Sequence, residues 1–166
     1  MTATTKTPLG ASTTNRKWYL DVDTSATSEP NWIGVFGILE FKDGLEPTLQ
    51  DDSDFDSEGW KSSTSTANMW TIELKVKRAV TAALSTAYDP GQEALRAAAG
   101  LTGTGNRVQI RWYEMEADGP RVEAYSGYAA VTWSPDGGGM DALSTVSVTL
   151  TGQGKRNVIA HPDAGV

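Results

Sequence analysis

The fold class of this chain is decided by the stretch MWTIELKVKRAV, residues 69–80, in which apolar and polar side chains alternate. The apolar positions would lie on one face of a strand: Trp70, Ile72, Leu74 and Val76. The polar positions would lie on the other face: Thr71, Glu73, Lys75 and Lys77. A period of two residues is typical of a β-strand with one buried and one solvated face. The stretch therefore predicts an antiparallel sheet that covers a core on one side only.

Strand patterns continue on both sides of this stretch, and one segment between them predicts a helix. The other predicted strands cover residues 17–23, 32–42, 106–117, 121–134 and 144–152. In the helical segment 89–100, Asp89 is placed to cap the N-terminus, Pro90 to occupy the first turn and Gln92 to complete a capping box. Six strands and a single short helix indicate an all-β, mainly antiparallel domain, a β-sandwich or barrel with one flanking α-helix.

Three segments fall outside this strand pattern. Residues 1–16 and 153–166 are polar and rich in small side chains, so we expect an N-terminal and a C-terminal arm around a β domain of residues 17–152. Residues 43–68 would form a long loop between the second and third strands. Links of this length without secondary structure are usually functional or disordered.

The long loop carries the whole net charge of the chain. The formal charge is −7, from 21 acidic and 14 basic residues, and seven of the acids lie between Asp43 and Trp60, where no base occurs. The remaining 14 acids balance the 14 bases. No basic patch of the kind that binds a phosphate backbone stands out. Three hypotheses for the segment compete: a calcium-binding loop, a solvated insertion, or an acidic surface that meets a partner.

The calcium hypothesis fits only half of the acidic segment. Asp54, Asp56, Glu58 and Gly59 match the first half of an EF-hand loop, but position 12 is Ser65 instead of the bidentate glutamate. The flanking residues also predict strands instead of helices. We therefore expect no specific metal site here, and solvated charge or a contact surface explains the segment better.

Catalytic and cofactor chemistry has few candidates in this sequence. Cysteine is absent, and the single histidine, His161, lies near the C-terminus, where we expect it to be exposed. The glycine-rich stretches 100–107 and 149–157 do not match nucleotide-binding motifs. We expect a structural or binding protein without a cofactor, not an enzyme. We also expect neither a secretory signal nor a membrane partner, because the apolar runs that these need are lacking.

The order of these features resembles the major tail tube proteins of long-tailed, non-contractile (siphovirus-type) bacteriophages. The resemblance covers nearly the whole chain and is carried, in order, by WYLDVDT, WIGVFGILEF, the acidic segment ending in DSEGWKSS, WTIELKVKR, YDPGQEAL, VQIRWYE and GYAAVTWSPDGGGMDALSTVSVTLTGQG. It implies the phage tail-tube fold, in which six copies form a ring and stacked rings form a tube. The tube protein of type VI secretion systems shares that fold, so the fold alone does not identify the cargo.

The resemblance implies a location and partners as well. The protein would lie in the tail of the virion after synthesis in the host cytoplasm, and double-stranded DNA would pass through its channel without sequence-specific binding. Its partners would be further copies of itself, tail tip or tape measure proteins, and a tail terminator. The alternatives are another tube or virion component, such as a tail terminator or a type VI-like secretion tube, and an unrelated carbohydrate-binding β-sandwich.

The resemblance also divides the candidate functional residues into three sets. The inter-ring loop would contain Asp43, Glu46, Asp51, Asp52, Asp54, Phe55, Asp56, Glu58 and Trp60. The bases that would receive these acids in a neighbouring ring are Arg16, Lys17, Lys75, Lys77, Arg78, Arg107 and Lys155. The residues that would line the channel are Glu73, Lys75, Lys77, Ser147, Thr149 and Thr151.

Overall fold

The structure, a computed structural model, describes residues 4–163, which form one curved antiparallel sheet and a short helix. The strands are β1 Trp18–Asp23, β2 Trp32–Gly34, β3 Ile38–Asp51, β4 Ser63–Lys77, β5 Arg107–Glu114, β6 Ala124–Pro135, β7 Thr145–Gly152 and β8 Asn157–Val158. The helix is α1, Pro90–Ala99, and 3₁₀ turns cover Asn15–Lys17 and Gly103–Asn106. The prediction of a mainly antiparallel all-β fold with one short helix is therefore confirmed.

The sheet curls until its two edges approach each other. Its strand order is β2-β1-β5-β6-β7-β4-β3, with β8 paired to β6, so the two outermost strands are consecutive in the chain. Residues 32–42, predicted as one strand, are divided by a turn at Gly37, whose φ of 78° favours glycine. Across the gap the rings of Trp18 and Phe41 stack with their centroids 5.4 Å apart. The result is a barrel-like sheet that is open along one seam.

The alternation along β4 produces the buried and solvated faces that it predicts. Trp70, Ile72, Leu74 and Val76 are all buried, while Glu73 on the opposite face is exposed. Strands β5 to β7 add further side chains to the same core, and burying each large apolar side chain stabilises the fold by about 1.5–3 kcal/mol. One continuous core therefore fills the inside of the curve.

Two glycines make room for the indole of Trp70. A β-carbon added at Gly152 would lie 2.4 Å from the ring, and one added at Gly127 would lie 2.6 Å from it. The indole Nε1 donates a hydrogen bond of 2.9 Å to the carbonyl oxygen of Gly154. Strands β6 and β7 can therefore pack against this tryptophan only because neither has a side chain at the contact.

The N-terminus of α1 is capped as predicted, but its glutamine has a different role. The Asp89 side chain accepts a hydrogen bond from the backbone N–H of Gln92, and Pro90 begins the helix. The Gln92 side chain does not close a capping box. Its Nε2 donates to the carbonyl oxygens of Phe36 (2.7 Å), in the turn between β2 and β3, and of Lys77 (3.0 Å), at the end of β4. These carbonyls need a donor because buried backbone groups are costly when unpaired. No helix among residues 4–163 is long and apolar enough to cross a membrane.

The prediction of a structureless loop over residues 43–68 is wrong. Strands β3 and β4 continue through it as an antiparallel hairpin, paired from Ile38 opposite Val76 to Asp51 opposite Ser63. Only residues 52–62 connect the two strands. The sequence shows no alternation there because both faces of the hairpin are exposed, and Pro47 is tolerated because β3 is an edge strand.

Up to residue 163, where the described range ends, the C-terminal segment is not a free arm. Strand β8 pairs with β6, and His161 is half-buried, with its ring edge-on to Tyr113 and its Nε2 at 2.7 Å from the carbonyl oxygen of Glu114. The expectation of an exposed histidine is therefore wrong. At the other end, residues 4–14 have no regular secondary structure and are exposed; the predicted arm's first three residues, like the last three of the chain, lie outside the described range.

The buried carboxylate of Glu114 holds the N-terminal segment and the connection between β5 and β6 against the sheet. It accepts hydrogen bonds from Lys17 Nζ (2.8 Å) and from the backbone N–H groups of Val122 (2.6 Å) and Glu123 (3.0 Å). Burial alone would raise the pKa of Glu114, but these three donors and the charge of Lys17 outweigh it and hold the pKa below its ordinary value. The carboxylate is thus stabilised in its ionised form.

We expect Gly152→Ala to destabilise the protein by about 1–3 kcal/mol, because its methyl group overlaps the Trp70 ring. The free energy of unfolding, measured by urea titration, checks this. Gly139→Ala is the matched control, since a β-carbon there meets nothing within 4 Å. Equal stability of the two variants would contradict the close packing described here.

We expect the stability of the protein to decline as the pH falls below the ordinary value of 4.5 for Glu114, and Glu114→Gln to weaken this decline. The folded pKa is depressed, so the unfolded chain binds the proton first, and the stabilisation is complete only above that value. At neutral pH the variant should lose about 1–3 kcal/mol, because Lys17 loses its charged acceptor. Urea titrations at several pH values measure both effects; an unchanged pH profile in the variant would argue against this role of Glu114.

Candidate assembly surfaces

A two-stranded ribbon extends beyond the core. Past the pair formed by Leu45 and Trp70, nearly every residue of β3, β4 and their connection is exposed. The six residues from Glu46 to Asp51 span about 20 Å at the usual rise of a strand. We call residues 46–68 the projecting hairpin, and residues 52–62 its tip.

The tip is organised by its own acidic side chains and presents two aromatic rings to solvent. Asp54 Oδ1 accepts hydrogen bonds from Asp56 N (3.1 Å) and from the Ser57 hydroxyl (2.8 Å). Phe55 is fully exposed and Trp60 is 80% exposed. Throughout residues 4–163, no three acidic or histidine side chains converge where they could hold a metal ion. The tip therefore combines several carboxyl groups with uncovered apolar surface.

Two aspartates at the base of the tip have pKa values below the ordinary value. A hydrogen bond with Ser53 lowers the pKa of Asp51, and one with the Thr64 hydroxyl lowers the pKa of Asp52. Both side chains are exposed, so these bonds shape the turn more than they stabilise the domain. They keep the Asp51 and Asp52 carboxylates ionised to a lower pH than an ordinary aspartate, because the pKa of each is lowered.

Asp43 does not belong to the exposed acidic set in which the sequence placed it. Its side chain is only 15% exposed and points into the barrel, where it accepts hydrogen bonds from Trp112 Nε1 (3.1 Å) and Arg156 Nη1 (3.0 Å). The reason is its register opposite Ile72, a residue of the core face. Asp43 is therefore an internal ion-pair partner, and the other predicted acids lie on the projecting hairpin.

Three of the predicted docking bases are already paired within the subunit. Lys17 contacts Glu114 at 2.8 Å, and Lys75 contacts Asp136 at 3.3 Å. Arg78 contacts Glu93 at 2.5 Å, and a fourth base, Arg107, lies over the ring of Tyr128 at 3.9 Å from its centroid. The remaining three are exposed, and no ion pair joins them to a carboxylate in the described part of the chain: Arg16, Lys77 and Lys155.

Two of these unpaired bases border clefts beside Phe36. Lys77 lines a cleft of about 350 Å³ together with Phe36 and Val80, both more than half exposed. Arg16 lines an adjoining cleft of about 460 Å³ that Phe36 also borders. Lys77 is the last residue of β4, so the first cleft lies at the end of the sheet opposite the hairpin tip.

The six residues predicted to line a channel lie on one face of adjacent strands. Lys75 on β4 is opposite Ser147 on β7, and Glu73 on β4 is opposite Thr149 on β7. Lys77 on β4 lies one residue pair beyond Lys75 on this face, and Thr151 on β7 lies one residue pair beyond Thr149 at the other end. The same rows continue onto two more strands, which sequence reasoning did not include. We call this surface the polar face; its additional members are Glu40 and Lys42 on β3 and Thr132 and Ser134 on β6.

The four strands of the polar face leave two ladder edges open. β3 pairs only with β4, and apart from a hydrogen bond from Asn15 Nδ2 to Phe41 O its outer edge is free over the described residues. β6 pairs with β5 only as far as Ala130, so the edge of residues 131–135 on that side has no strand partner. Among the described residues, one hydrogen bond reaches this edge, from the Val131 N–H to Asn106 Oδ1. Open edges of this kind are sites for strand addition.

Comparison with solved structures defines the class of fold to which this arrangement belongs. No protein-family model matches the chain, and no curated protein matches it. Solved structures of tail particles do share its fold, over nearly its full length.

The first such structure is the virion of a native gene transfer agent particle, at 10% identity and a TM-score of 0.64, covering 90% of this chain and 100% of that chain. The tail of an empty gene transfer agent particle with C6 symmetry gives 12% identity and a TM-score of 0.63, with the same coverage. The six-fold symmetrised anti-feeding prophage baseplate gives 8% identity and a TM-score of 0.62, and the match covers 93% of this chain and 99% of that chain. The chain thus has a fold found in phage-like tail particles.

Proposed function

We propose that this protein is a structural subunit of a phage-type tail tube, in which rings of identical subunits stack around a channel. The observation that carries the proposal is the four-stranded unit β3-β4-β7-β6, which has a polar face and an open edge on each side. A sheet with two open edges is complete only when neighbours pair with it. The fold shared with tail particles supports the same function, and no catalytic role is part of the proposal.

The directions of the two edge strands are compatible with ring closure. Each strand of the unit is antiparallel to the next, so β3 runs antiparallel to β6 of its own subunit. Rotation about a ring axis preserves strand direction along that axis, so β3 would also be antiparallel to β6 of the neighbouring copy. The sheet would then continue without a change of pattern, and a heterologous contact that closes by rotation gives a ring.

Six copies give a barrel of suitable size. The gene transfer agent tail has C6 symmetry, and the anti-feeding prophage baseplate was symmetrised six-fold. Four strands from each of six subunits would make a barrel of 24 strands. Barrels of 16–18 strands already leave an aqueous channel, so a barrel of this size would enclose a wider one.

The projecting hairpin would connect successive rings. Its tip and the cleft lined by Lys77 lie at opposite ends of β4, which is the arrangement that head-to-tail stacking requires. Phe55 and Trp60 would each remove about 150–250 Å² from water on docking, and the carboxylates around them complement Lys77 and Arg16. A third unpaired base, Lys155, lies beyond β7 at the hairpin end and is not part of this contact.

The resemblance to siphovirus-type major tail tube proteins supplies the finer part of the proposal. Duplex DNA would pass through the channel from the capsid to the host, and the tube would end at tail tip or tape measure proteins and at a tail terminator. The protein would lie in the virion after synthesis in the host cytoplasm. A terminator or baseplate ring is the second candidate, favoured by the likeness to the baseplate structure. Electron microscopy of the concentrated protein distinguishes stacked tubes from single rings.

We expect engineered cysteine pairs across the two open edges to crosslink the ring. The chain has no cysteine of its own, so disulfides can form only between introduced positions, one at 40 or 42 and one at 132 or 134. Within one subunit these positions are three strand spacings apart, about 14 Å, which is too far for a disulfide.

Oxidation of the assembled protein should therefore give covalent oligomers up to six subunits on a denaturing gel. A pair with one cysteine at position 40 and the other at the exposed position 29 is the control and should remain monomeric. If none of the edge pairs crosslinks assembled protein, the two edges do not meet.

We expect Phe55→Ser combined with Trp60→Ser to leave rings intact and to prevent their stacking, because the docking surface loses its apolar contact. Val122→Ser is the matched control, since Val122 is 79% exposed but is not part of the hairpin. Tube length in electron micrographs and sedimentation velocity measure the effect. Normal tubes from the double variant would rule out docking through these rings.

A further inference from the structure

The charged residues of the polar face alternate in sign between neighbouring strands. Glu40 on β3 is directly opposite Lys75 on β4, and Lys42 on β3 is directly opposite Glu73 on β4. Lys42 Nζ lies 3.2 Å from Glu73 Oε2. Directly opposed residues of opposite charge stabilise a strand pair, whereas like charges destabilise it. Each lysine of this pattern therefore has a carboxylate beside it.

A third carboxylate reaches the polar face from the end of β6. Asp136 lies 3.3 Å from Lys75 Nζ, and it accepts hydrogen bonds from the hydroxyls of Ser147 (2.6 Å) and Thr145 (2.7 Å). The Ser147 and Thr145 hydroxyls, with Lys75, lower the pKa of Asp136 to about 2. Asp136 therefore keeps its negative charge at neutral pH and well below it.

The charges of the polar face add up to zero on a chain that is otherwise acidic. Its carboxylates are Glu40, Glu73 and Asp136, and its lysines are Lys42, Lys75 and Lys77. The remaining positions on β7 and β6 are hydroxyl side chains. The face is thus rich in hydrogen-bonding groups and has no net charge, although the whole chain carries −7.

We infer that Glu73 and Asp136, helped by Glu40, neutralise Lys42 and Lys75 so that the polar face meets the phosphate backbone of a nucleic acid duplex without binding it. This inference rests on the proposed function, in which the polar face lines the channel. Each lysine that pairs with a phosphate releases a condensed counterion, and affinity rises steeply with the number of such contacts. In a ring of six, freeing two lysines per subunit would present twelve cations to the duplex. Paired lysines present none.

The test compares assembled tubes of the wild type with tubes of the double variant Glu73→Gln, Asp136→Asn. A short fluorescent DNA duplex is added at physiological salt, and retained DNA is measured after sedimentation, before and after nuclease treatment. Wild-type tubes should retain almost none. Variant tubes should retain at least about tenfold more, protected from nuclease and released by added salt.

Two controls separate the local effect from a general change of charge. Glu29→Gln with Asp118→Asn makes the same change of charge at exposed positions outside the polar face, and should behave as the wild type. Adding Lys42→Gln and Lys75→Gln to the double variant restores neutrality and should abolish retention. If the double variant fails to fold, Thr151→Lys adds a lysine opposite Thr71, where no carboxylate faces it, without breaking an ion pair, and should also retain DNA.

The outcomes also distinguish this inference from the proposed function. Retention by the wild type, or equal retention by the unbalanced variants and the charge-matched control, overturns the inference. Retained DNA that nuclease removes supports the neutralisation but places the face outside the channel. If no tubes form, the proposed function fails. Fluorescence anisotropy with free subunits then tests the inference, which requires the unbalanced variants to bind the duplex more tightly than the wild type does.

Discussion

Strand β4 is longer than the core it covers, and the other surfaces follow from that mismatch. Its second half, from Trp70 to Val76, has the core on one side and solvent on the other. Its first half, from Ser63 to Met69, has solvent on both sides. The covered half pairs with β7 and gives the polar face, whereas the uncovered half pairs only with β3 and gives the projecting hairpin.

The point at which the hairpin leaves the core is held by tightly packed aromatic rings and one ion pair. The rings of Trp70 and Trp112 are 5.0 Å apart, and the Trp112 indole donates to Asp43, which also pairs with Arg156. Removing one partner of such a partly buried pair is costly, because the other charge is left without compensation. This base gives the hairpin a defined direction relative to the polar face, which a contact between successive rings requires.

The structure of strands with one buried and one solvated face could be predicted from the sequence. The structure of segments without that environment could not. The alternation on β4 and β7 gave both the core and the polar face, because burial on one side imposes a period of two. The projecting hairpin shows no such period, since nothing covers it within the subunit. The inward position of Asp43 depends on its pairing register. The role of the Gln92 side chain depends on the carbonyls of Phe36 and Lys77, which only the folded chain brings together.

In the proposed tube, the hairpin's lack of support has a kinetic consequence for assembly. An isolated two-stranded ribbon is only marginally stable in water, so a free subunit would form its docking surface only part of the time. A ring that already presents ordered clefts would hold the ribbon in place and lower the entropy still to be lost by the next contact. Growth would then start slowly and proceed rapidly from an existing end, as in a nucleated polymer. Soluble subunits could accumulate until such an end is supplied.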